Sequence, residues 1–245
     1  EIYDKKFAGN SAGALISLGI CLKKTPQEIE DIYICMAANS IQKYGLNNSS
    51  CHDAILKKWL VNGDEYKQLN NKLFVGITVF FNKYKLISNW KNNQELINTL
   101  HGSMHIPLYC SNINLVQGNI VIDGGFSNLY AKLDRTTLAI TLQQNYGEIY
   151  PSKQLSMKEF ILPNDNNSVR TIINNAYEDF KLYKIKCNNQ SIYIKPIKNQ
   201  TQIASNNKYI LFTAWGLRFS ESIFYNNKFK IIIFIFCFIL FKKNI

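Results

Sequence analysis

Apolar and polar positions fall into short regular blocks over roughly the first three quarters of the chain, and the regularity then fades. Phe7-Ala8 is compatible with a brief buried strand, and Ala12 to Leu22 is a proline-free run of small and apolar residues suited to a buried helix. Thr25-Pro26-Gln27-Glu28 is a capping box with proline at the first helical position. It predicts a helix to about Gln42 that stops by Gly45. Ser50 to Val61 reads as a further helix. Leu73 to Phe81, rich in β-branched and aromatic residues, reads as a buried strand, with Tyr84 to Trp90 as its antiparallel neighbour. Asn93 to His105 reads as a helix that stops before Pro107, because a residue preceding proline is pushed out of the helical region. Leu115 to Ile122 and Thr137 to Leu142 read as strands, and Ser168 to Leu182 as an amphipathic helix.

Strands interleaved with helices define an α/β protein and fit a three-layer α/β/α domain. A chain of 245 residues is long enough for one sizeable core. Beyond about residue 185, Asn/Lys/Gln-rich stretches alternate with short apolar strings, and the last feature is the run Ile231 to Phe241 closed by Lys242-Lys243. As a helix that run extends only about 16 Å against a hydrocarbon core of about 30 Å. It is too short to span a bilayer and is expected to be interfacial, a buried strand or an aberrant tail.

The net charge of +11 raises nucleic acid or an anionic membrane as partners. No RNA-binding signature, basic helix or Cys/His finger accompanies it, so nucleic acid is not expected. The abundance of Lys, Asn, Ile, Tyr and Phe, all specified by A/T-rich codons, accounts for the charge without a partner. A basic lipid-facing surface remains compatible with it. The six cysteines are far apart and mostly within apolar runs, a pattern of reduced, intracellular core thiols. No signal peptide is visible.

Two glycine motifs carry the candidate chemistry. Gly9-Asn10-Ser11-Ala12-Gly13 fits a nucleophile elbow, Gly-x-Ser-x-Gly, which thrusts a serine hydroxyl out of a sharp strand-to-helix turn. A side chain at Gly9 or Gly13 is expected to collide with backbone or substrate. The following helix points its N-terminus at Ser11, and the amide of Ala12 is a candidate donor to a developing oxyanion. Asp123-Gly124-Gly125 places a carboxylate at a strand end before two residues that admit close backbone approach.

The three histidines are His52, His101 and His105, and none follows Asp123, so the serine–acid–histidine order of an α/β-hydrolase is not met with Asp123 as the acid. A dyad in which Asp123 takes the proton of Ser11 directly is the simpler solution. It requires desolvation to lift the carboxylate above its reference pKa of about 3.9. A triad using Asp31, Asp53 or Asp64 with His101 or His105 stays open. His101 and His105 also stand four apart, a spacing that can hold a metal, but position 102 is glycine where a zinc protease needs glutamate. No metal and no cofactor are expected.

The elbow, its helix and Asp123-Gly124-Gly125 resemble the patatin-like phospholipase family, in particular its adiponutrin-type branch. Gly102-Ser103-Met104-His105-Ile106-Pro107-Leu108-Tyr109 resembles the small-residue helix and Ile-Pro turn of that family, and Asn119 to Asn128 its aspartate strand and turn. The resemblance covers roughly residues 5 to 180. It implies an α/β/α fold with a mostly parallel central sheet, Ser11 as nucleophile and Asp123 as proton acceptor. The implied reaction is hydrolysis of phospholipid or acylglycerol esters through an acyl-enzyme, without a cofactor. It further implies a lipid substrate at a membrane or lipid-droplet surface, and a cytoplasmic, peripherally associated protein. Only eight residues precede Gly9 and none is glycine, so the family's oxyanion strand and loop are expected to be lacking. The expected organisation is a hydrolase domain over residues 1–183, an extension over 184–226 and a hydrophobic tail over 227–245. The alternatives are a catalytically silent lipid-binding relative and a serine hydrolase with a histidine triad.

Overall fold

The structure is a computed structural model, and it describes residues 4–31, 34, 49–79, 83–106, 110, 114–128, 130–153, 155 and 166–189. In chain order the elements are β1 (Phe7–Asn10), α1 (Ala12–Cys21), α2 (Ser49–Trp59) and a short α3 (Tyr66–Leu69). They continue with β2 (Leu73–Val79), β3 (Lys83–Ile87), α4 (Asn93–Ser103), β4 (Asn114–Val116), β5 (Asn119–Asp123) and α5 (Asn166–Asn189). The helix opened by Thr25-Pro26 is described through residue 31 and again at 34. Its capping box is formed as expected: Glu28 N donates to Thr25 Oγ1 (3.2 Å), and Thr25 N donates to Glu28 Oε2 (2.7 Å). The rest of that helix, the Ile106-Pro107 turn beyond Ile106, and both C-terminal segments after Asn189 lie outside the described residues. The boundary expected at 183 falls inside α5. No helix among the described residues is long and apolar enough to cross a membrane.

The α/β class holds, and the described sheet is mixed. β1 pairs parallel with β2, whereas β2–β3, β2–β5 and β4–β5 are antiparallel. Parallel pairing, expected to dominate, is thus confined to one pair among the described strands. The physical reason for two of these pairs is connection length: three residues separate β2 from β3 and two separate β4 from β5, too few for the crossover that parallel strands need. β3 bonds to residues 75–79 of β2, overlapping the partners of both β1 (73–76) and β5 (77–79). One edge of β2 therefore belongs to β3, and β1 and β5 share the other end to end. Their C-termini meet at adjacent rungs, Asn10 opposite Gly76 and Asp123 opposite Ile77.

The core is one apolar cluster in which α1, α2 and α4 pack on this sheet. Its fully buried members include Leu15 and Leu18 of α1, Leu56 of α2, Val75 and Ile77 of β2, Leu96 and Leu100 of α4, and Val121 of β5. Two helix glycines admit close contacts within this core. A Cβ on Gly19 would lie 2.9 Å from the Trp59 ring, and one on Gly102 only 2.5 Å from Val121 Cγ2. The second brings α4 hard against the aspartate strand and lets its neighbour Ser103 reach the sheet.

Three elements depart from the sequence reading. The expected strand Leu115 to Ile122 is a hairpin, β4 and β5, reversed at Gln117 and Gly118, both at positive φ (50° and 75°). The helix expected to reach His105 ends at Ser103, so His101 and His105 do not share a helical face. The strand expected at Thr137 to Leu142 is reduced to a single bridge, Ile140 to Ile149. Asp134 competes there: its Oδ1 accepts from Thr136 N (2.8 Å) and Thr136 Oγ1 (2.7 Å), closing a turn where a ladder would start.

Candidate active site

Ser11 follows β1 directly and precedes the first residue of α1, Ala12. Its backbone lies at φ 52°, ψ −127°, a conformation that costs a non-glycine residue about 1–3 kcal/mol and persists only when the surroundings impose it. Those surroundings are specific. Ser11 N donates to Ser103 Oγ (3.0 Å), and the Ser103 hydroxyl donates onward to the carbonyl of Gly76 (2.6 Å). The Ser11 carbonyl accepts from Ala14 N (2.9 Å), closing the first helical turn. Although Ser11 occupies the N-cap position, its side chain makes no capping hydrogen bond. The hydroxyl stands by the carboxylate of Asp123 and favours its charged form.

The two motif glycines differ. A Cβ on Gly9 would stand 2.2 Å from the carbonyl oxygen of Gly13, so strand and helix touch through backbone at this point. A Cβ on Gly13 would meet no heavy atom within 4 Å. The collision expected at Gly13 is therefore not with the protein: the residue borders open space.

Asp123 ends β5 and is almost fully buried. Its N–H donates to the His105 carbonyl (2.8 Å), and its own carbonyl accepts from Thr78 Oγ1 (2.8 Å), which shares a second hydrogen bond with Ser127 Oγ (2.7 Å). On the side chain, Oδ1 accepts from Gly125 N (2.7 Å). Burial pushes the carboxyl up to about 6, against the stabilising pull of the Ser11 hydroxyl and the Gly125 amide. Gly124 and Gly125 have distinct tasks. A Cβ on Gly124 would lie 2.4 Å from the Gly76 carbonyl, and one on Gly125 3.1 Å from Asp123 Oδ1.

No histidine contributes to the Asp123 carboxylate. His101 Nε2 lies 3.0 Å from Asp53 Oδ1 of α2, close enough for an ion pair although out of line with the ring N–H, and its ring stands edge-on to His52 at 6.3 Å. His101 and Ser103 are two positions apart on α4, about 200° around the helix. Ser103 faces Ser11, so the His101–Asp53 pair faces away from it. Asp31 accepts from Gln27 and Asp64 pairs with Lys67, both at the exposed surface. Among the described residues no group of three or more His, Cys, Asp or Glu is placed to hold a metal.

His52 supplies a stability prediction. Desolvation, with the neighbouring His101 adding to it, pushes its pKa from 6.5 down to about 4. A folded-state value below the unfolded one gives stability that is fully present above pH 6.5 and lost as pH falls through about 4. The full shift corresponds to about 3 kcal/mol. Replacing His52 by Gln is expected to flatten the acid limb by about that amount, read as the urea midpoints of both proteins at pH 7.5 and 4.5. Equal acid sensitivity in the two proteins contradicts it.

Gly76, Thr78 and Ser103 escaped the sequence reading as site residues, since single hydroxyls in apolar runs are ordinary. A glycine amid the β-branched residues of β2 was the one signal present. Comparison with known proteins agrees with this geometry. Residues 5–131 match the family model described as patatin-like phospholipase, and the chain belongs to that family. Members of the family are in general lipid acyl hydrolases and acyltransferases. Omega-hydroxyceramide transacylase of Mus musculus is 30% identical over 133 residues, covering 51% of this chain and 22% of that protein. Its counterpart in Homo sapiens is 30% identical over 131 residues, covering 51% of this chain and 25% of that protein. The chain thus spans a quarter or less of the length of these relatives.

Proposed function

We propose that this chain is a lipid acyl hydrolase in which Ser11 attacks a carboxylic ester of a phospholipid or acylglycerol and Asp123 accepts its proton. The observation that carries the reading is a serine held at positive φ whose hydroxyl stands by a buried carboxylate raised to about 6. At neutral pH that carboxylate is ionised, and it is a better base than an exposed aspartate. As Ser11 Oγ bonds to the ester carbon, its proton passes to Asp123, and the carbonyl oxygen becomes an oxyanion beside the N-terminal turn of α1, with the Ala12 amide as one donor. Collapse of this intermediate expels the alcohol, which takes the proton from Asp123, and leaves an acyl ester on Ser11. Water, activated by the same carboxylate, then releases the fatty acid.

The name of the two relatives favours a second reading of the last step: the hydroxyl of another lipid replaces water as the acyl acceptor. Residues up to the ester bond act identically in both. The substrate is taken from a membrane or lipid-droplet surface, with the protein peripherally associated.

Labelling of the folded chain with a serine-directed fluorophosphonate, mapped by mass spectrometry, tests the reading. An adduct at Ser11 that is absent in Ser11→Ala and retained when His52, His101 and His105 are replaced is the expected result. No adduct on folded protein points instead to a silent lipid-binding relative, and loss of the adduct with a histidine to a triad. Products formed with and without a long-chain alcohol separate hydrolysis from transfer.

A further inference from the structure

Asn10 immediately precedes the proposed nucleophile but takes no part in the chemistry described above. Its side chain lies across the middle of the sheet. Oδ1 accepts from the Tyr84 hydroxyl of β3 (2.8 Å), and Nδ2 donates to the Asn128 carbonyl beyond β5 (2.7 Å). A primary amide offers the acceptor on one atom and the donor on another, as these two partners require. The sequence makes room for it twice. A Cβ on Gly76 would fall 1.8 Å from Asn10 Oδ1, and one on Gly124, next to Asp123, 3.1 Å from Asn10 Cγ. Tyr84 is committed to this bond, and burial raises its phenol well above the ordinary range, keeping it a neutral donor. One side chain thus joins the strand that ends at Ser11, the neighbouring β3, and the turn that begins at Asp123.

We propose that Asn10 is a positioning residue that fastens the Asp123–Asn128 turn to the Ser11 elbow and so holds carboxylate and hydroxyl within bonding reach. The inference rests on the dyad reading for its catalytic consequence, but the fastening itself is a property of the fold. A residue that merely filled space would tolerate loss of either hydrogen bond. A fastener would not: Thr78 ties the turn to β2, but the Asn10 amide ties it to the elbow, and release exposes the carboxylate to water.

The test uses the full chain, with Asn10→Ala and Tyr84→Phe as variants. The second removes one oxygen atom, leaves Asn10 itself intact, and keeps the fold if the first does not. Two readouts are taken: the rate of fluorophosphonate labelling at Ser11, and the titration midpoint of the Asp123 carboxyl followed by carbon NMR. Asn10→Ala is expected to slow labelling about 10²-fold, the effect of an ångström-scale misplacement. The Asp123 midpoint should fall from about 6 toward its ordinary 3.8. Tyr84→Phe should move both in the same direction by less. Folded variants with unchanged labelling and unchanged midpoint overturn the proposal. If the parent chain does not label at all, the hydrolase reading fails while the midpoint still decides the fastening: a fall in either variant upholds it, and no change in both refutes it.

Discussion

Asparagine in place of Asp123 is expected to abolish labelling at Ser11 and, at the same time, to make the protein more stable. The loss follows from the proton: asparagine cannot accept it, and a positioned general base is worth about 10²–10⁴ in rate. The gain follows from burial. The folded carboxyl binds its proton more tightly than the unfolded one, about 6 against 3.8. Its contribution to stability is therefore full below pH 3.8 and lost as pH rises through about 6. Above that, the buried charge costs about 3 kcal/mol. The amide removes the charge while its oxygen can still accept from Gly125 N. Urea unfolding at pH 7.5 should show Asp123→Asn above the parent, and the difference should vanish near pH 3.5. A less stable variant at neutral pH would mean that the charge is not what strains the site. In the parent, labelling should fall away below about pH 6, as the carboxylate takes up its proton.

The second large effect separates the two glycines of the elbow. Alanine at position 9 places a Cβ 2.2 Å from the Gly13 oxygen, 2.3 Å from its carbon and 2.5 Å from Ala14 N. All three are backbone atoms of the first turn of α1, and no rotamer relieves them. Strand and helix must part, at the expense of Ser11's geometry, and overpacking of this severity is expected to cost about 3 kcal/mol or more. That is a large share of the roughly 5–15 kcal/mol that holds a domain together. Alanine at position 13 meets no atom within 4 Å and lies inside the helix, where alanine is favoured over glycine by about 1 kcal/mol. Gly9→Ala should therefore unfold at much lower temperature, or fail to fold, while Gly13→Ala matches or exceeds the parent. Thermal unfolding monitored by circular dichroism distinguishes them, and equal damage from both would contradict the geometry.

The sequence was legible where a local rule acts alone. The elbow, the Thr25–Glu28 box, the Leu73–Val79 strand with its hairpin partner, and the aspartate strand each announce themselves through a handful of neighbouring residues. Legibility failed where a local signal was weak or a distant partner decided the outcome. Gln117 gives no warning that it will adopt positive φ, and Gly118 alone did not suffice to divide one strand into two. Leu138, Ile140 and Leu142 alternate as a strand should, but these three large residues are exposed while Ala139 and Thr141 face inward. The pattern had the right period and the opposite face, because a turn at Asp134 fixes where the chain enters. Ser103 and Thr78 are readable only once α4 and β2 stand beside Ser11 and Asp123. Their hydroxyls serve backbone groups from distant parts of the chain, which no window along the sequence connects.

The end-to-end meeting of β1 and β5 on one edge of β2 bears on when, during folding, Ser11 first meets Asp123. The hairpins β2–β3 and β4–β5 close short loops and are the pairings that form readily. The two that bring Ser11 and Asp123 together, β1–β2 and β2–β5, each close a long stretch of chain, and such pairings are slow. A slip of one residue in either would turn the end residue to the opposite face of the sheet. A partly made chain, or one misfolded in register, consequently carries the serine without its base. On the proposed reading, Ser11 gains its base only with these slow pairings, and a chain that lacks either is expected to show no labelling at Ser11.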